Sequence, residues 1–145
     1  MESKKVEGKK VESKKEDKIQ SWDEFKALQQ KAKLDTTGNS NEWVVLVGMA
    51  TCGAAAGAGQ VMEAINDNIK KEGLDNVKVL STGCFGNCYA EPVVEVRRGD
   101  MPLGSGVRYG YVDASMALEI VDKHLKKGEV IESAIVGQNQ EVYIP

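Results

Sequence analysis

The stretch Trp43-Val44-Val45-Leu46-Val47 decides the fold. It is a continuous apolar run of strand length, which is typical of a strand that is covered on both faces of a sheet. A second β-rich run, from Val77 to Leu80, follows after one predicted helix. A strand, a crossover helix and a second strand form a right-handed parallel unit. The sequence therefore predicts an α/β domain built on this parallel pair.

The first predicted helix precedes the apolar strand. Ser21 and Glu24 match the capping box, in which Ser21 caps the helix and Glu24 accepts a hydrogen bond from the amide of Ser21. Apolar residues then recur at helical spacing for about three turns; they are Trp22, Phe25, Leu28 and Ala32.

Two further helices and a hairpin complete the predicted domain. A small-residue stretch, Gly48 to Gly59, leads into a helix that ends at Gly73, and Asp113 begins a last helix that ends at Gly128. Val93–Arg98 and Val107–Val112 are predicted to pair as an antiparallel hairpin that extends the same sheet. The fold class is therefore α/β, a thioredoxin-like mixed sheet flanked by helices in a single domain.

The two ends of the chain differ from this domain. Residues 1–18 repeat Ser, Lys, Val and Glu and carry a net charge of +2, whereas the remaining residues carry −5. A segment with so little to bury cannot offset the entropy of ordering it. We therefore predict a charged, disordered low-complexity tail over 1–18, a thioredoxin-like domain over 19–134 and a C-terminal tail over 135–145.

Composition excludes several classes of protein. The chain has 145 residues, 41% of them hydrophobic, and a net charge of −3, which argues against non-specific nucleic-acid binding. No apolar run is long enough to span a membrane, and no secretory signal is recognisable. Three cysteines cannot all pair within the chain, so we expect a cytoplasmic protein whose cysteines serve metal or redox chemistry.

All three cysteines follow predicted strands. Cys52 comes after the first strand, and Cys84 and Cys88 come after the second. Because parallel strands end at the same edge of a sheet, we expect these thiols to meet there around a small metal centre. Gly83 and Gly86 in the second loop let the backbone bend and bring amide donors to sulfur. Two alternatives are simple packing and a dithiol redox pair, which the missing C-x-x-C spacing disfavours.

Two other features point to different sites. The glycine-rich stretch Gly53–Gly59 follows a strand as a dinucleotide-binding loop does, but its glycine order is wrong and no acid ends the second strand. Close packing of a helix on the sheet accounts for it equally well. His124, the only histidine, could complete a zinc site with the three cysteines, although a structural histidine is the more common case.

Two segments carry a family resemblance. Val45 to Gly53, and Gly83 to Val96, in which Glu91-Pro92 and a valine-rich strand follow the cysteine pair, resemble the thioredoxin-like [2Fe-2S] ferredoxins. These include the small iron–sulfur subunit of NADH dehydrogenases and the domain that accompanies the NADH-binding flavoprotein of bacterial electron-bifurcating hydrogenases. The resemblance covers roughly residues 43–132.

The resemblance implies a [2Fe-2S] cluster bound by Cys52, Cys84 and Cys88. The family's fourth cysteine position falls at Val47, which cannot ligate iron. A [2Fe-2S] cluster normally has four thiolates, so either a non-cysteine ligand such as Thr51, water or a partner residue completes it, or the cluster is labile or absent.

The resemblance also implies a non-catalytic electron-transfer subunit. Its partners would be a flavin- and NADH-binding subunit and other iron–sulfur subunits of a hydrogenase- or NADH-dehydrogenase-type complex. Phe85 and Tyr89 flank the cysteines and could either shield the centre or form the docking face. The alternative function is a cluster-free thioredoxin-like structural or assembly module of such a complex.

Overall fold

A computed structural model describes residues 18–102 and 104–137, without the side chains of residues 34–36. Most of the predicted N-terminal tail and most of the predicted C-terminal tail lie outside these residues. The described α-helices and strands are, in chain order, α1 Trp22–Thr36, β1 Trp43–Gly48, α2 Thr51–Ala56, α3 Ala58–Glu72, β2 Val77–Thr82, β3 Val94–Arg98, β4 Val107–Tyr109 and α4 Ala114–Glu119. A π-helical segment, Ile120–Lys127, continues α4, and short 3₁₀ turns form at Cys88–Ala90 and Glu132–Ala134.

The four strands form one mixed sheet in the order β2-β1-β3-β4. Strands β1 and β2 are parallel, and β3 pairs antiparallel with both β1 and β4. The predicted parallel unit and the predicted hairpin are therefore confirmed. In the β1–β2 register Gly48 lies opposite Thr82, so the carboxyl ends of the two strands meet at one edge of the sheet.

Strand β1 is the centre of the core. Every residue from Trp43 to Gly48 is buried, as the continuous apolar run predicted. Val45 and Val47 belong to the same buried cluster as Ile65 of α3 and Ile120 of the π-helical segment. Burying a side chain of this size stabilises the fold by about 1.5–3 kcal/mol, so β1 and the helices that cover it are the main source of stability.

The predicted second helix is α3, and a short helix that was not predicted, α2, precedes it within the small-residue stretch. Gly57 ends α2 in the left-handed conformation, with φ of 98°, and α3 begins at the next residue. Gly73 and Gly128 end their helices in the same conformation, as predicted. Asp113 caps α4 by accepting a hydrogen bond from the Met116 amide at 2.8 Å, also as predicted.

Helix α1 departs from its prediction in two ways. Ser21 does cap it by accepting from the Glu24 amide, but Glu24 accepts from the amide of Gln20 rather than that of Ser21. The apolar stripe of the helix is also exposed rather than packed on the domain. The periodicity of the sequence indicated which face is apolar, but it could not indicate what covers that face.

The last strand is shorter than predicted. Residues 110–112 leave β4 because their amides donate to the carbonyl oxygens of Ala134, Ala90 and Pro92, respectively. The segment after the last 3₁₀ turn packs on the same strand, where Ile135 bridges to Tyr109 and the Val136 amide donates to the Arg108 carbonyl at 2.9 Å. Among the described helices, none has the length and apolar character that crossing a membrane requires.

Candidate metal centre

The three cysteines lie at the edge of the sheet where β1 and β2 end. Cys52 is the second residue of α2, four residues beyond the end of β1. Cys84 follows the end of β2 by two residues, and Cys88 begins a 3₁₀ turn. The two loops, which a crossover helix separates in the sequence, therefore meet at one edge of the sheet, as predicted.

The sulfurs themselves are close. The Sγ atoms of Cys84 and Cys88 are 3.3 Å apart, and all three cysteines are free and exposed. Hydrogen bonding to Cys84, then hydrogen bonding to Cys52 and the charges of both, raise the pKa of the Cys88 thiol to about 11. The Cys88 thiol therefore keeps its proton at neutral pH. A metal that binds to this sulfur must displace that proton.

The cysteine loop is shaped to present amides to sulfur. Gly86 has a φ of 85°, a conformation that disfavours any residue with a side chain. In this conformation the Gly86 amide donates to Cys84 Sγ at 3.2 Å. Such a bond stabilises negative charge on the sulfur, which a thiolate ligand of a metal centre requires.

Gly53 brings the start of α2 against the end of β1. A side chain at Gly53 would overlap the carbonyl oxygen of Gly48 and come within 3.1 Å of Oε2 of Glu91. Glu91 accepts the Val93 amide at 2.9 Å through the same oxygen. The glycine-rich stretch is therefore explained at this position by close packing of a helix on the sheet, and that packing sets the position of Cys52.

The end of β1 holds Val47, the position at which the resemblance placed the fourth ligand. Val47 is fully buried in the hydrophobic core. Its neighbour Gly48 faces the cysteine loop instead, and a β-carbon built there would lie 3.3 Å from the ring of Phe85. Phe85 thus fills the space in front of Gly48, and neither residue 47 nor residue 48 offers a ligand atom.

A buried ion pair supports this loop, and sequence reasoning missed it. Glu95 in β3 has no exposed surface, and its carboxylate accepts from Arg108 Nε at 2.8 Å and from the Gly104 amide at 3.3 Å. The Arg108 guanidinium also lies 5.2 Å from the centre of the Phe85 ring. The sequence does contain a signal for this pair, since Glu95 and Arg108 are charges of opposite sign in a valine-rich hairpin and buried charges in proteins are paired.

Two exposed tyrosines lie next to the cysteine turn. Tyr89 directly follows Cys88 and is 67% exposed, whereas Phe85 is half-buried. Tyr111 is 63% exposed in the strained left-handed conformation, with φ of 53°, and its amide donates to the Ala90 carbonyl at 2.6 Å. Tyr111 also lines a surface cavity of about 400 Å³, together with Glu91, Asp113 and other residues.

His124 lies at the other end of the sheet. It is 4% exposed, its ring stacks edge-on against Trp43 at the start of β1, and its Nδ1 is 2.7 Å from the Tyr109 hydroxyl. Its described neighbours are Trp43 and Tyr109 rather than a cysteine, so the structure does not bring it to the three thiols as the zinc alternative requires. In the part of the chain that the structure describes, no three His, Cys, Asp or Glu side chains are arranged to hold a single metal ion.

Comparison with known proteins places this geometry in a family. No family model matches the chain. Subunit HndB of the NADP-reducing hydrogenase of Solidesulfovibrio fructosivorans is 35% identical over 117 residues, which cover 81% of this chain and 90% of HndB. A [2Fe-2S] ferredoxin of Clostridium pasteurianum is 35% identical over 50% of this chain and 67% of its own length.

A solved structure agrees with these relatives. The crystal structure of the thioredoxin-like [2Fe-2S] ferredoxin of Aquifex aeolicus superposes with a TM-score of 0.58 at 28% identity, over 68% of this chain and 99% of that ferredoxin. The chain belongs to the thioredoxin-like [2Fe-2S] ferredoxin family. This confirms the predicted fold and the resemblance seen in the two cysteine segments.

Proposed function

We propose that this member of the thioredoxin-like ferredoxins is an electron-transfer subunit that carries a [2Fe-2S] cluster on Cys52, Cys84 and Cys88. The observation that carries the proposal is the meeting of all three sulfurs at one exposed edge of the sheet. When bound, such a cluster accepts and donates one electron at a time. The relatives named as ferredoxins and as a hydrogenase subunit support this assignment.

The chain's own residues would serve the centre in distinct ways. The three cysteines would provide thiolates, and the Gly86 amide would stabilise the charge on Cys84. Gly53 fixes the position of Cys52, and the half-buried ring of Phe85 covers the loop from the side of β1. Exposure of all three cysteines keeps the centre near the surface, where an electron can reach a docked partner.

The three cysteines supply three of the four ligands that a [2Fe-2S] cluster normally has. The fourth ligand is then a group other than cysteine, because Val47 is in the core and the chain has no further cysteine. Thr51 is exposed and directly precedes Cys52, so it is the candidate within this chain; water or a partner residue are the others. A Thr51→Val variant that retains the cluster would exclude Thr51.

We propose as the partner a flavin- and NADH-binding subunit of a hydrogenase- or NADH-dehydrogenase-type complex. Tyr89 and Tyr111 supply the docking face, because both rings are exposed and both are attached to the turn that holds Cys88. Aromatic side chains are enriched in protein interfaces. We place the protein in the cytoplasm, where free thiols stay reduced.

The experiment is anaerobic reconstitution of the full chain with iron and sulfide, followed by analysis of both. We expect a brown protein with two irons and two sulfides per chain, the composition of a [2Fe-2S] cluster. Cys84→Ala and Cys88→Ala should each lose the visible absorbance and keep the circular dichroism of the fold. If both variants retain the full absorbance, the ligand assignment is wrong.

The second candidate function is a cluster-free structural module of the same kind of complex. The burial of Val47 at a family ligand position favours it, because one thiolate is missing from the set. This candidate predicts a colourless protein without iron even when cluster assembly is intact. It also predicts that replacing the cysteines changes neither colour nor metal content.

A further inference from the structure

The charged pair of Glu95 and Arg108 lies on the face of the sheet opposite to the hydrophobic core. Val94 and Val96, the neighbours of Glu95 along β3, belong to the core cluster, and side chains alternate between the two faces along a strand. In the register of the sheet, Glu95 lies opposite Leu46 of β1 and Arg108 of β4. Glu95 has no exposed surface, and the Arg108 side chain is 21% exposed. The pair is therefore a buried polar element that is not part of the core.

Stability alone does not account for this pair. Taking two charges out of water costs about as much free energy as their attraction returns, and apolar residues of similar size often give an equally stable protein. What the pair does provide is a fixed direction for the guanidinium. Nε of Arg108 donates to Glu95 at 2.8 Å, and the other oxygen of that carboxylate accepts from the Gly104 amide at 3.3 Å. The planar guanidinium is thus held in one orientation.

The ring of Phe85 contacts both this guanidinium and the end of β1. The central carbon of the Arg108 guanidinium lies 5.2 Å from the centre of the ring, within the range of a cation–π interaction. The ring also lies over Gly48, where a β-carbon would come within 3.3 Å of it. Because Phe85 directly follows Cys84, the ring covers the cysteine loop at the point where the loop meets β1.

We infer that Arg108 is a positioning residue for the metal centre: it keeps Phe85 on Gly48 and so limits how much water reaches the cluster. This inference rests on the proposed [2Fe-2S] cluster. Solvent exposure is one of the properties that set the reduction potential of such a cluster. Reduction adds negative charge, and water stabilises that charge better than an apolar environment does. Releasing the ring should therefore raise the reduction potential.

Two substitutions separate this role from a direct effect of charge. If the positive charge of Arg108 acted on the cluster across space, removing that charge alone would make reduction harder and lower the potential. The double variant Glu95→Leu/Arg108→Met removes one charge of each sign, so its net charge is unchanged and the Phe85 ring loses its support. Phe85→Leu removes the ring and changes no charge at all. An upward shift that both variants share therefore acts through the ring.

The test is redox titration of the reconstituted full chain, followed by its visible absorbance. We expect the midpoint potentials of Glu95→Leu/Arg108→Met and of Phe85→Leu to rise by similar amounts. Combining all three substitutions should give no further rise, because the ring is common to both effects. The exposed ion pair of Glu119 and Lys123, 3.4 Å apart, supplies the matched control. Glu119→Leu/Lys123→Met should leave the midpoint potential unchanged.

Amide hydrogen exchange tests the same contact on the chain without a cluster. The Gly48 amide donates to the Val93 carbonyl at 3.0 Å, next to the Phe85 ring. In Phe85→Leu and in the double variant, the Gly48 amide should exchange several-fold faster than in the wild type, measured relative to the amide of the fully buried Val45 in the same strand. A general loss of stability would instead speed the exchange of both amides alike.

The outcomes distinguish this inference from the proposed function. A chain that binds no iron refutes the proposed function, and the exchange rate of the Gly48 amide then decides the inference by itself. Midpoint potentials that are unchanged or lower in the two variants overturn the inference, as do shifts that add up when the substitutions are combined. Exchange at Gly48 that is no faster relative to Val45 also overturns it.

Discussion

At the scale of single residues, Gly53 is the tightest constraint on the candidate centre. A methyl group there would overlap a backbone oxygen of Gly48, which cannot swing away as a side chain can. We predict that Gly53→Ala lowers the free energy of unfolding by about 1–3 kcal/mol, the usual cost of overpacking. Chemical denaturation measures this loss, and reconstitution should show less iron retained because Cys52 is displaced.

Gly59 provides the matched control for Gly53. It lies in α3, and a methyl group there would meet no atom within 4 Å. Gly59→Ala should therefore change the free energy of unfolding by between zero and about 1 kcal/mol in the stabilising direction. An equal loss in the free energy of unfolding for Gly53→Ala and Gly59→Ala would contradict the packing explanation.

Arg108 is the second residue on which the loop depends. Removing its guanidinium leaves the buried Glu95 carboxylate without its charged partner, so Arg108→Met should destabilise the protein by about 3–5 kcal/mol. The double variant Glu95→Leu/Arg108→Met should recover much of this loss. Lys123→Met, which breaks an exposed ion pair with Glu119, should cost no more than about 0.5 kcal/mol.

At the scale of elements, His124 ties the π-helical segment to the sheet through Tyr109. Burial, and then the charge of Arg98, lower the pKa of His124 from 6.5 to about 4. The unfolded chain binds a proton near pH 6.5 and the folded chain only near pH 4. The contribution of His124 to the free energy of unfolding is therefore fully present above pH 6.5. It declines by about 3 kcal/mol as the pH falls to 4.

The measurement is the free energy of unfolding against pH for the wild type and for His124→Gln. The glutamine can keep a hydrogen bond to the Tyr109 hydroxyl, but it does not titrate. The difference in the free energy of unfolding between the two proteins should therefore narrow as the pH falls from 6.5 to 4. A difference that stays constant over this range would contradict the burial of a neutral His124.

Elements were predictable where local chemistry determines them. The apolar run of β1, the cap at Asp113 and the terminal glycines at 73 and 128 each lie where the sequence placed them. The short helix α2 and the early end of β4 were missed. The end of β4 depends on tertiary contacts, since residues 110–112 leave the sheet to bond the turn after Cys88 and the C-terminal segment.

At the scale of the whole molecule, topology made the centre predictable. A parallel β1–β2 pair is sufficient to bring Cys52 to Cys84 and Cys88, although 32 positions separate the first two. The charges of Glu95 and Arg108 in a valine-rich hairpin were a signal for their pairing, whereas the ring of Phe85 over Gly48 was not predictable. The position of Phe85 depends on how the cysteine loop folds back on the end of β1, and a single sequence does not specify this.

The most direct test of the account is electron paramagnetic resonance of the reconstituted, dithionite-reduced chain, compared with its Cys52→Ala variant. Cys52 is the ligand that must come from the other loop, so its loss should abolish the signal while the fold is retained. We predict about one unpaired spin per chain in the wild type, as a one-electron-reduced [2Fe-2S] cluster gives. A wild type without a signal, or a signal of equal intensity in Cys52→Ala, would contradict a shared centre at the edge of the sheet.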